Sequence, residues 1–305
     1  MLLKSQSLTI ERPARATGTL IGFGASAAAL ALAVALFIKA VDWPVSFPQF
    51  LAFFGVGVLL LLALAFAFWA YGCLSLRYTM DGSGLTVGWG LMRHFISIET
   101  IEKMIPGRGE HRPRVQGLGW WGYHVGRGQV QGLGSVLFFS THRAPEELVY
   151  VQTADAIYAL SPLNPERFIA SAQRLQKGAL PVRPSGVERD IVSRHPIWVD
   201  RKAQALAMAA LLVNLALWGF LFAAYPHLNS EITIEFPPVG DITTLHDRVD
   251  ILRIPATATA FLAVNLLAAL SFQWRERAAA YLLLSGSVFF QALFLAAGAI
   301  AVINA

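Results

Sequence analysis

The segment GLGWWG, residues 117–122, has the glycine spacing G-x-G-x-x-G. Between a strand and a helix, this spacing lets backbone N–H groups bind the phosphates of a dinucleotide. Here a polar stretch interrupted by proline, residues 107–116, precedes the motif. Glycines at 126, 128, 132 and 134 follow it, and so many glycines disfavour a helix. Two adjacent tryptophans would also crowd a phosphate. The spacing therefore does not indicate a nucleotide site.

Two interpretations of GLGWWG remain. In the first, the glycines shape a long turn between strands, and the tryptophans pack on the core of the domain. In the second, the loop faces a bilayer, because tryptophan favours the headgroup layer and nearby arginines attract anionic lipid. The candidate residues for membrane contact or docking are Trp120, Trp121, Arg108, Arg112 and Arg114.

Other reactive residues are scattered along the chain. Histidines at 111, 124, 142 and 195 lack the paired spacing of metal ligands, and no cysteine cluster accompanies them. The motif G-x-S-x-G of a serine nucleophile is absent from the sequence. The single cysteine, Cys73, lies in an apolar run and is expected to be a small buried hydrophobic residue. We therefore predict no catalytic residue, no metal site and no cofactor, and we expect the protein not to be an enzyme.

The composition of the chain indicates a membrane protein. The chain has 305 residues, of which 55% are hydrophobic and 14% are charged, whereas soluble domains have about 25% charged residues. The formal net charge is +5. In a membrane protein this excess reflects basic residues held on the cytoplasmic side rather than a nucleic-acid interface.

Five apolar segments reach the roughly 20 residues that a helix needs to cross the hydrocarbon core. Because lipid cannot satisfy an open backbone, each segment is predicted to be helical. The first apolar run exceeds the 7–15 residues of a signal-peptide core, so we expect a retained span. The predicted spans are residues 18–38, 50–74, 203–225, 255–274 and 278–303.

Three neutral amides, Asn214, Asn265 and Gln291, fall within these spans. Transporters and proton pumps place ionisable groups at membrane depth, and the middles of these spans contain no Asp, Glu, Lys or Arg. The amides are therefore expected to form hydrogen bonds between helices, as polar side chains in membrane helices do.

Basic residues in the flanks of the spans predict the orientation of the chain. Lysines and arginines precede the first and third spans and occupy the link between the fourth and fifth, whereas the loop 226–254 is mainly acidic. The expected organisation places the N-terminus in the cytoplasm and the C-terminus outside. It comprises a cytoplasmic tail (1–17), two transmembrane helices (18–75), a cytoplasmic domain (76–190) and three transmembrane helices (191–305) with an extracytoplasmic loop (226–254).

The cytoplasmic segment contains short β-branched or aromatic runs bounded by Gly, Asp or Pro, which predict strands. After the last of these runs, the spacing of the apolar residues changes from that of a strand to that of a helix. Asn164 is a good helix N-cap, Pro165 suits the first helical position, and apolar residues follow at helical spacing. The predicted strands are residues 76–80, 85–90, 94–98, 135–140, 147–153 and 156–160.

The order of these elements resembles the bacterial PH-like domains tethered in membranes, over residues 76–177. The resemblance implies two packed antiparallel sheets and a C-terminal capping helix. We therefore expect a multi-pass α-helical membrane protein with an inserted, cytoplasmic, mainly-β PH-like domain. The residues that carry the resemblance are Tyr78, Asp81, Gly84, Leu85, Ile98, Ile101, Tyr158, Ser161, Pro162, Pro165, Glu166 and Phe168.

Residues 226–305 are similar to a second family, of bacterial membrane domains, some relatives of which occur in immunity-type and signal-transducing membrane proteins. Glu235 stands where that family usually has a histidine. The residues that carry this resemblance are Ile232, Thr233, Ile234, Phe236, Asp247, Arg248, Asn265 and Gln291.

Three functional hypotheses follow. In the first, the PH-like domain is a docking or scaffold module of a non-catalytic membrane protein, such as an accessory or assembly subunit of a membrane complex. Its partners would be the bilayer and other membrane-protein subunits, with no nucleic acid. In the second, a receptor or immunity-type sensor binds a ligand through the loop 226–254. In the third, an enzyme or transporter would gather the three membrane amides around one water-filled pocket.

Overall fold

The computed structural model describes residues 9–108, 115–120, 122–142, 144–176, 186–189, 195–233 and 245–305. The chain divides into two compact units. The first unit comprises residues 1–30 and 61–193, and the second comprises residues 31–60 and 194–305. Two long helices near the N-terminus contribute residues to both units.

Six α-helices form within the described ranges, and five of them are long and apolar enough to span a membrane. The five predicted spans are thereby confirmed as helices, and the protein is a multi-pass membrane protein. Most of their apolar side chains remain exposed, as a lipid-facing surface requires. The helices are α1 (Ala16–Val41), α2 (Phe47–Ser75), α3 (Pro165–Gln176), α4 (Arg201–Ala224), α5 (Arg253–Phe272) and α6 (Arg277–Ile303).

The first unit contains a five-stranded antiparallel sheet, called here the first sheet, with strand order β1-β2-β3-β4-β11. Its edge strand β1 comes from the segment before α1, which the sequence placed in a separate cytoplasmic tail. The strands are β1 (Thr9–Glu11), β2 (Arg77–Met80), β3 (Gly84–Trp89), β4 (Met92–Ser97) and β11 (Gly186–Arg189).

The second sheet has six strands in the order β5-β9-β10-β8-β7-β6. One pair, β8 with β10, is parallel, so the expectation of two purely antiparallel sheets needs correction. The parallel pair arises because β10 folds back along β9 and thereby enters between β9 and β8. The strands are β5 (Ile101–Pro106), β6 (Val115–Trp120), β7 (Tyr123–Val130), β8 (Gly134–Ser140), β9 (Val149–Thr153) and β10 (Ile157–Leu160).

The described residues around GLGWWG form a strand pair, and not the long turn of the first interpretation. Strands β6 and β7 pair from Val115 opposite Gly128 to Trp120 opposite Tyr123. A Cβ atom at Gly117 would lie 2.6 Å from the Val125 carbonyl oxygen. Glycine is therefore required where the two backbones approach closely, and its presence in strands marks such approaches.

The core of the first unit lies between its two sheets. Alternate residues of β2 and β3 point inward, as the period of two in a strand requires. Helix α3 covers this core with Phe168 and Ala172, which are four residues apart and share one helix face. Asn164 caps α3 as predicted, because its Oδ1 accepts a hydrogen bond from the Arg167 N–H at 3.1 Å.

The second unit contains α4, α5 and α6, together with a short hairpin between α4 and α5. The hairpin pairs β12 (Glu231–Thr233) with β13 (Leu245–Asp247). Ile232 is almost fully buried and packs in one cluster with Leu217 and Leu221 of α4. The base of the predicted extracytoplasmic loop is therefore part of the folded helical unit.

Candidate functional site

The motif residues of the mainly-β region have structural roles. The Asp81 carboxylate forms the turn between β2 and β3. Its Oδ1 accepts hydrogen bonds from the Ser83 N–H at 2.9 Å, the Ser83 hydroxyl at 2.6 Å and the Gly84 N–H at 3.0 Å. Aspartate suits such turns because its short side chain can bond to the backbone two residues ahead.

The hydroxyl of Tyr78 joins the two sheets. It donates a hydrogen bond to the Phe139 carbonyl oxygen at 2.6 Å and accepts one from the Ser161 N–H at 3.1 Å. Burial raises the pKa of Tyr78 to about 12, because desolvation disfavours the phenolate. Tyr78 and Ser161, two of the residues that carry the resemblance to PH-like domains, are thus in contact across the core.

A second polar contact between the sheets involves His94 of β4 and Tyr158 of β10. The His94 Nε2 atom lies 2.9 Å from the Tyr158 hydroxyl oxygen, and the ring centroids are 5.0 Å apart. Burial lowers the pKa of His94, because desolvation disfavours the charged imidazolium. Sequence reasoning missed this pair, because nothing in the spacing of two residues 64 positions apart predicts their contact.

Residues 76–176, about a third of the chain, match the family model described as a bacterial PH domain. This segment is a bacterial PH-like domain. All of the motif residues that predicted it lie inside the matched range. No curated protein and no solved structure matches the chain.

The PH-like domain contacts the helices of its own unit at the β6–β7 turn. The Gly122 carbonyl oxygen accepts a hydrogen bond from the Cys73 thiol, with Sγ and O 3.5 Å apart. A Cβ atom at Gly18 would lie 2.7 Å from the same oxygen and 2.8 Å from the Cys73 sulfur. Gly122 has φ +77°, which favours glycine. The turn therefore fits closely between the first turn of α1 and the last turn of α2.

Three further contacts hold this junction together. Strand β1, four residues before α1, pairs with β2 of the PH-like domain. The Arg15 guanidinium donates a hydrogen bond to the Leu74 carbonyl oxygen. The Ser75 hydroxyl, at the end of α2, accepts a hydrogen bond from the Gly90 N–H at 2.7 Å. The end of the domain that carries Gly90 and Gly122 is therefore the end next to the helices; it is called here the membrane-proximal end.

The residues predicted for membrane contact are not gathered in one place among the described residues. Trp120 ends β6 at the membrane-proximal end, beside the turn that contains Gly122. Arg108 is exposed just beyond β5, and the strand register places it at the same end of the second sheet. Four strands separate β5 from β6, which is about 24 Å across the sheet. Trp121, Arg112 and Arg114 lie outside the described residues.

Two of the three predicted membrane amides meet in the second unit. The Asn214 Nδ2 atom of α4 donates a hydrogen bond to Gln291 Oε1 of α6 at 3.0 Å. Gln291 Nε2 donates in turn to the Ala258 carbonyl oxygen of α5 at 2.8 Å. Thr259 of α5 lies 3.2 Å from Asn214 Oδ1, and Trp218 Nε1 donates to the Thr259 hydroxyl oxygen at 2.9 Å. This membrane network, formed by Asn214, Trp218, Ala258, Thr259 and Gln291, joins three helices. Asn265 is half-buried and stands outside it.

A second polar contact in this unit lies at the start of α4. Asp200 caps the helix by accepting a hydrogen bond from the Ala203 N–H at 3.1 Å. Its other oxygen accepts from the Tyr281 hydroxyl at 2.8 Å and from Gln273 Nε2 at 3.2 Å. The Ala203 N–H and the Tyr281 hydroxyl hold the pKa of Asp200 below its usual value, because they stabilise the carboxylate.

Other features add no reactive cluster in the described part of the chain. Among those residues, no three His, Cys, Asp or Glu side chains come together as metal ligands would. An open surface depression on α3 is lined by Ala170, Gln173, Arg174 and Gln176.

Proposed function

We propose that the protein is a non-catalytic integral membrane protein whose PH-like domain is a fixed docking or scaffold module. The observation that carries this proposal is the junction at the membrane-proximal end. One strand pairing, a close glycine contact and two hydrogen bonds attach the domain to the two helices that tether it, and a third hydrogen bond joins the start of the first helix to the end of the second. A domain held in this way presents a constant surface to a second protein. The partner is another subunit of a membrane complex, for which this chain serves as an accessory or assembly protein.

The chemistry of the PH-like domain supports a docking role over catalysis. The polar groups that a reaction would need are engaged in the fold: Tyr78 and Ser161 join the sheets, Asp81 forms a turn and His94 packs against Tyr158. Function resides in a site and not in a fold, so the partner must be found by experiment.

A cytoplasmic location for the domain is part of the proposal. The pairing of β1 with β2 requires the segment before α1 and the domain after α2 to lie on the same side of the membrane, which two crossings allow. Lysines and arginines flanking these elements favour the cytoplasmic side. The β12–β13 loop and the C-terminus would then lie outside.

Site-specific labelling tests this orientation. In a Cys73→Ser background, Arg167→Cys on α3 and Glu231→Cys on β12 both replace exposed residues. In intact cells an impermeant maleimide should label the variant at 231 and spare the variant at 167, and both should react in opened membranes. The opposite pattern would refute the cytoplasmic assignment.

The docking role is tested by purifying the tagged full chain from its native membrane in a mild detergent, followed by native mass spectrometry. Photo-crosslinking amino acids at positions 167 and 173, on the exposed face of α3, report contacts of the domain. A lipid-facing control at position 61 of α2, where leucine is exposed, reports random membrane neighbours. We expect a defined subunit that crosslinks from the domain and not from position 61. A chain that purifies alone and crosslinks no protein from the domain would refute the proposal.

The alternative function is a receptor or immunity-type sensor, and the folded base of the outer loop favours it. Ile232 of β12 packs with Leu217 and Leu221 of α4, and Arg248 lies over the Tyr225 ring at 5.2 Å. A ligand that moves the loop would therefore act directly on α4. Replacing residues 234–244 with a Gly-Ser linker tests this idea. A variant that folds normally but behaves in cells like a deletion of the protein supports the sensor. A variant that behaves in cells like the wild type refutes it.

A further inference from the structure

The edges of the two sheets differ in how they are protected against pairing with a further strand. The first sheet ends in β1 and β11, which have only three and four residues and contain charged residues. In the second sheet, the edge strand β5 contains Lys103 and Pro106, and its register is irregular between Ile101 and Lys103. Short strands, charges, prolines and bulges all keep an edge from accepting another strand.

Strand β6, at the other edge of the second sheet, has none of these features. Its six residues, VQGLGW, include no charge and no proline, and all six pair with β7 in one regular register. Gln116 and Gly117 are exposed, and no strand in the described part of the chain lies on the outer side of β6. Among the described strands, β6 therefore presents the edge best suited to accept another strand.

The register shows which backbone groups of β6 point away from β7. Trp120 and Tyr123 flank a two-residue loop, so they form the hydrogen-bonded pair that closes the hairpin, and the pairs alternate from there. Gly117 and Gly126 are then a pair without mutual hydrogen bonds, in which two strands approach most closely. The structure agrees, because a Cβ atom at Gly117 would lie 2.9 Å from the Gly126 Cα atom. The outward N–H and C=O groups of β6 are therefore those of Val115, Gly117 and Gly119.

This open edge begins next to the membrane helices. Strand β6 ends at Trp120, beside the turn that contains Gly122, and that turn fits between α1 and α2. From Trp120 to Val115 the strand runs away from the membrane-proximal end over about 17 Å. A strand that pairs with β6 therefore lies close to the bilayer, as the segment flanking a membrane span does.

A second copy of this chain cannot supply that strand from its own β6. Two identical strands that pair about a twofold axis run antiparallel, so the β6–β7 turn of the second copy would point away from the membrane. In every copy, however, Gly122 lies against Gly18 and Cys73 of the helices, and all copies in one bilayer have that end on the same side. The other described edge strands of a second copy are protected against pairing. The added strand therefore comes from a different protein.

We propose that the outer edge of β6 binds an extended, uncharged segment of a second membrane protein, next to one of that protein's membrane spans, as a further strand of the second sheet. The backbone of the partner segment pairs with Val115, Gly117 and Gly119, and its lack of charge matches that of β6. This inference rests on the proposed docking function, for which it names the surface and the kind of partner.

Amide hydrogen exchange, read residue by residue by mass spectrometry, tests the pairing on the full chain alone and in the purified complex. In the chain alone, the amides of Gln116, Leu118 and Trp120 should exchange slowly because they bond to β7, whereas the three outward amides should exchange quickly. In the complex the outward amides should slow at least about tenfold. Outward amides that are already slow in the chain alone, or that stay fast in the complex, would overturn the proposal.

A substitution at the first residue of β6 removes one outward N–H and leaves the bonds to β7 in place. Val115 has a negative φ, and proline is tolerated at the first residue of a strand. Val115→Pro should raise the dissociation constant of the complex about fivefold, because one hydrogen bond to the partner is lost. The matched control, Val115→Ala, keeps the N–H and should bind the partner as the wild type does. Equal dissociation constants for the two variants would contradict the pairing.

Photo-crosslinking distinguishes this edge from the rest of the domain. A crosslinking amino acid at Gln116, exposed on β6, should capture the partner segment, and one at Lys103, exposed on the opposite edge strand, should not. A subunit that crosslinks from α3 but not from position 116 would refute the assignment to β6 and leave the docking function intact. A chain that purifies alone would refute both.

Discussion

The hydrogen bond between Asn214 and Gln291 gives the sharpest test of how the second unit is held together. The two side chains are buried, at 6% and 0% exposure, and their contact joins α4 to α6 across 77 residues of sequence. Replacing Asn214 with leucine leaves Gln291 Oε1 without its donor, whereas replacing Gln291 with leucine leaves Asn214 Nδ2 without its acceptor. The double substitution removes both orphaned groups at once.

The expected magnitudes follow from the cost of an unsatisfied buried polar group. Each single substitution should lower the free energy of unfolding by about 1–3 kcal/mol. The double variant should lose less than the sum of the two, and the difference should equal the coupling of such pairs in membrane proteins, about 0.6–1.7 kcal/mol. Asn265→Leu is the control, because this half-buried amide on α5 lies outside the membrane network. Its effect should stay within about 0.5 kcal/mol.

The assay is reversible unfolding of the full chain in mixed micelles with increasing dodecyl sulfate, followed by circular dichroism. The four members of the cycle and the Asn265 variant are compared at one detergent composition. If the effects of the two single substitutions add to within about 0.3 kcal/mol, the amides are not coupled and the membrane network does not stabilise the bundle.

Three further predictions concern other contacts. Gly18→Ala forces a Cβ atom against the β6–β7 turn and the Cys73 sulfur, at a cost of about 1–3 kcal/mol, so maleimide should label Cys73 at least about fivefold faster. Gly24→Ala, with no atom within 4 Å, should leave the labelling rate unchanged. Tyr78→Phe should destabilise the PH-like domain by about 1–3 kcal/mol. Because the folded pKa of Tyr78 is raised from 10 to about 12, that difference should be complete below pH 10 and disappear as the pH rises towards 12 in thermal melts. Asp200 has a lowered pKa, so the stability it contributes is present above its usual value of 3.8 and is lost as the pH falls through the lowered value. Asp200→Asn should therefore flatten the acid limb of the melting curve, and an unchanged acid limb would contradict its capping role.

The helices were predictable because their signal is local. A run of some 20 apolar residues must be helical in lipid whatever surrounds it, and each predicted span agrees with an observed helix to within a few residues at its ends. The cap of α3 is local in the same sense, since Asn164 bonds the backbone three residues ahead. Six strands with β-branched and aromatic residues were predicted for a similar reason.

The remaining strands were missed because their stability comes from neighbours distant in sequence. Strands β6 and β7 are rich in glycine, a residue that disfavours strands in isolation. The reason for glycine at position 117 is the close approach of its backbone to the Val125 carbonyl oxygen, which only the folded structure shows. Strand β1 has three residues and forms only against β2, almost 70 positions later. The parallel pairing of β8 with β10 depends on the position of β9.

The sequence by itself determined that this chain has five apolar segments long enough to span a membrane, with a PH-like domain between the second and the third, because apolar length, strand period and turn residues act over short distances. The tertiary structure decided which polar side chains meet. It paired Asn214 with Gln291 and left Asn265 aside, and it brought His94 against Tyr158. Such contacts depend on helix rotation and strand register, which are fixed by the packing of the whole unit.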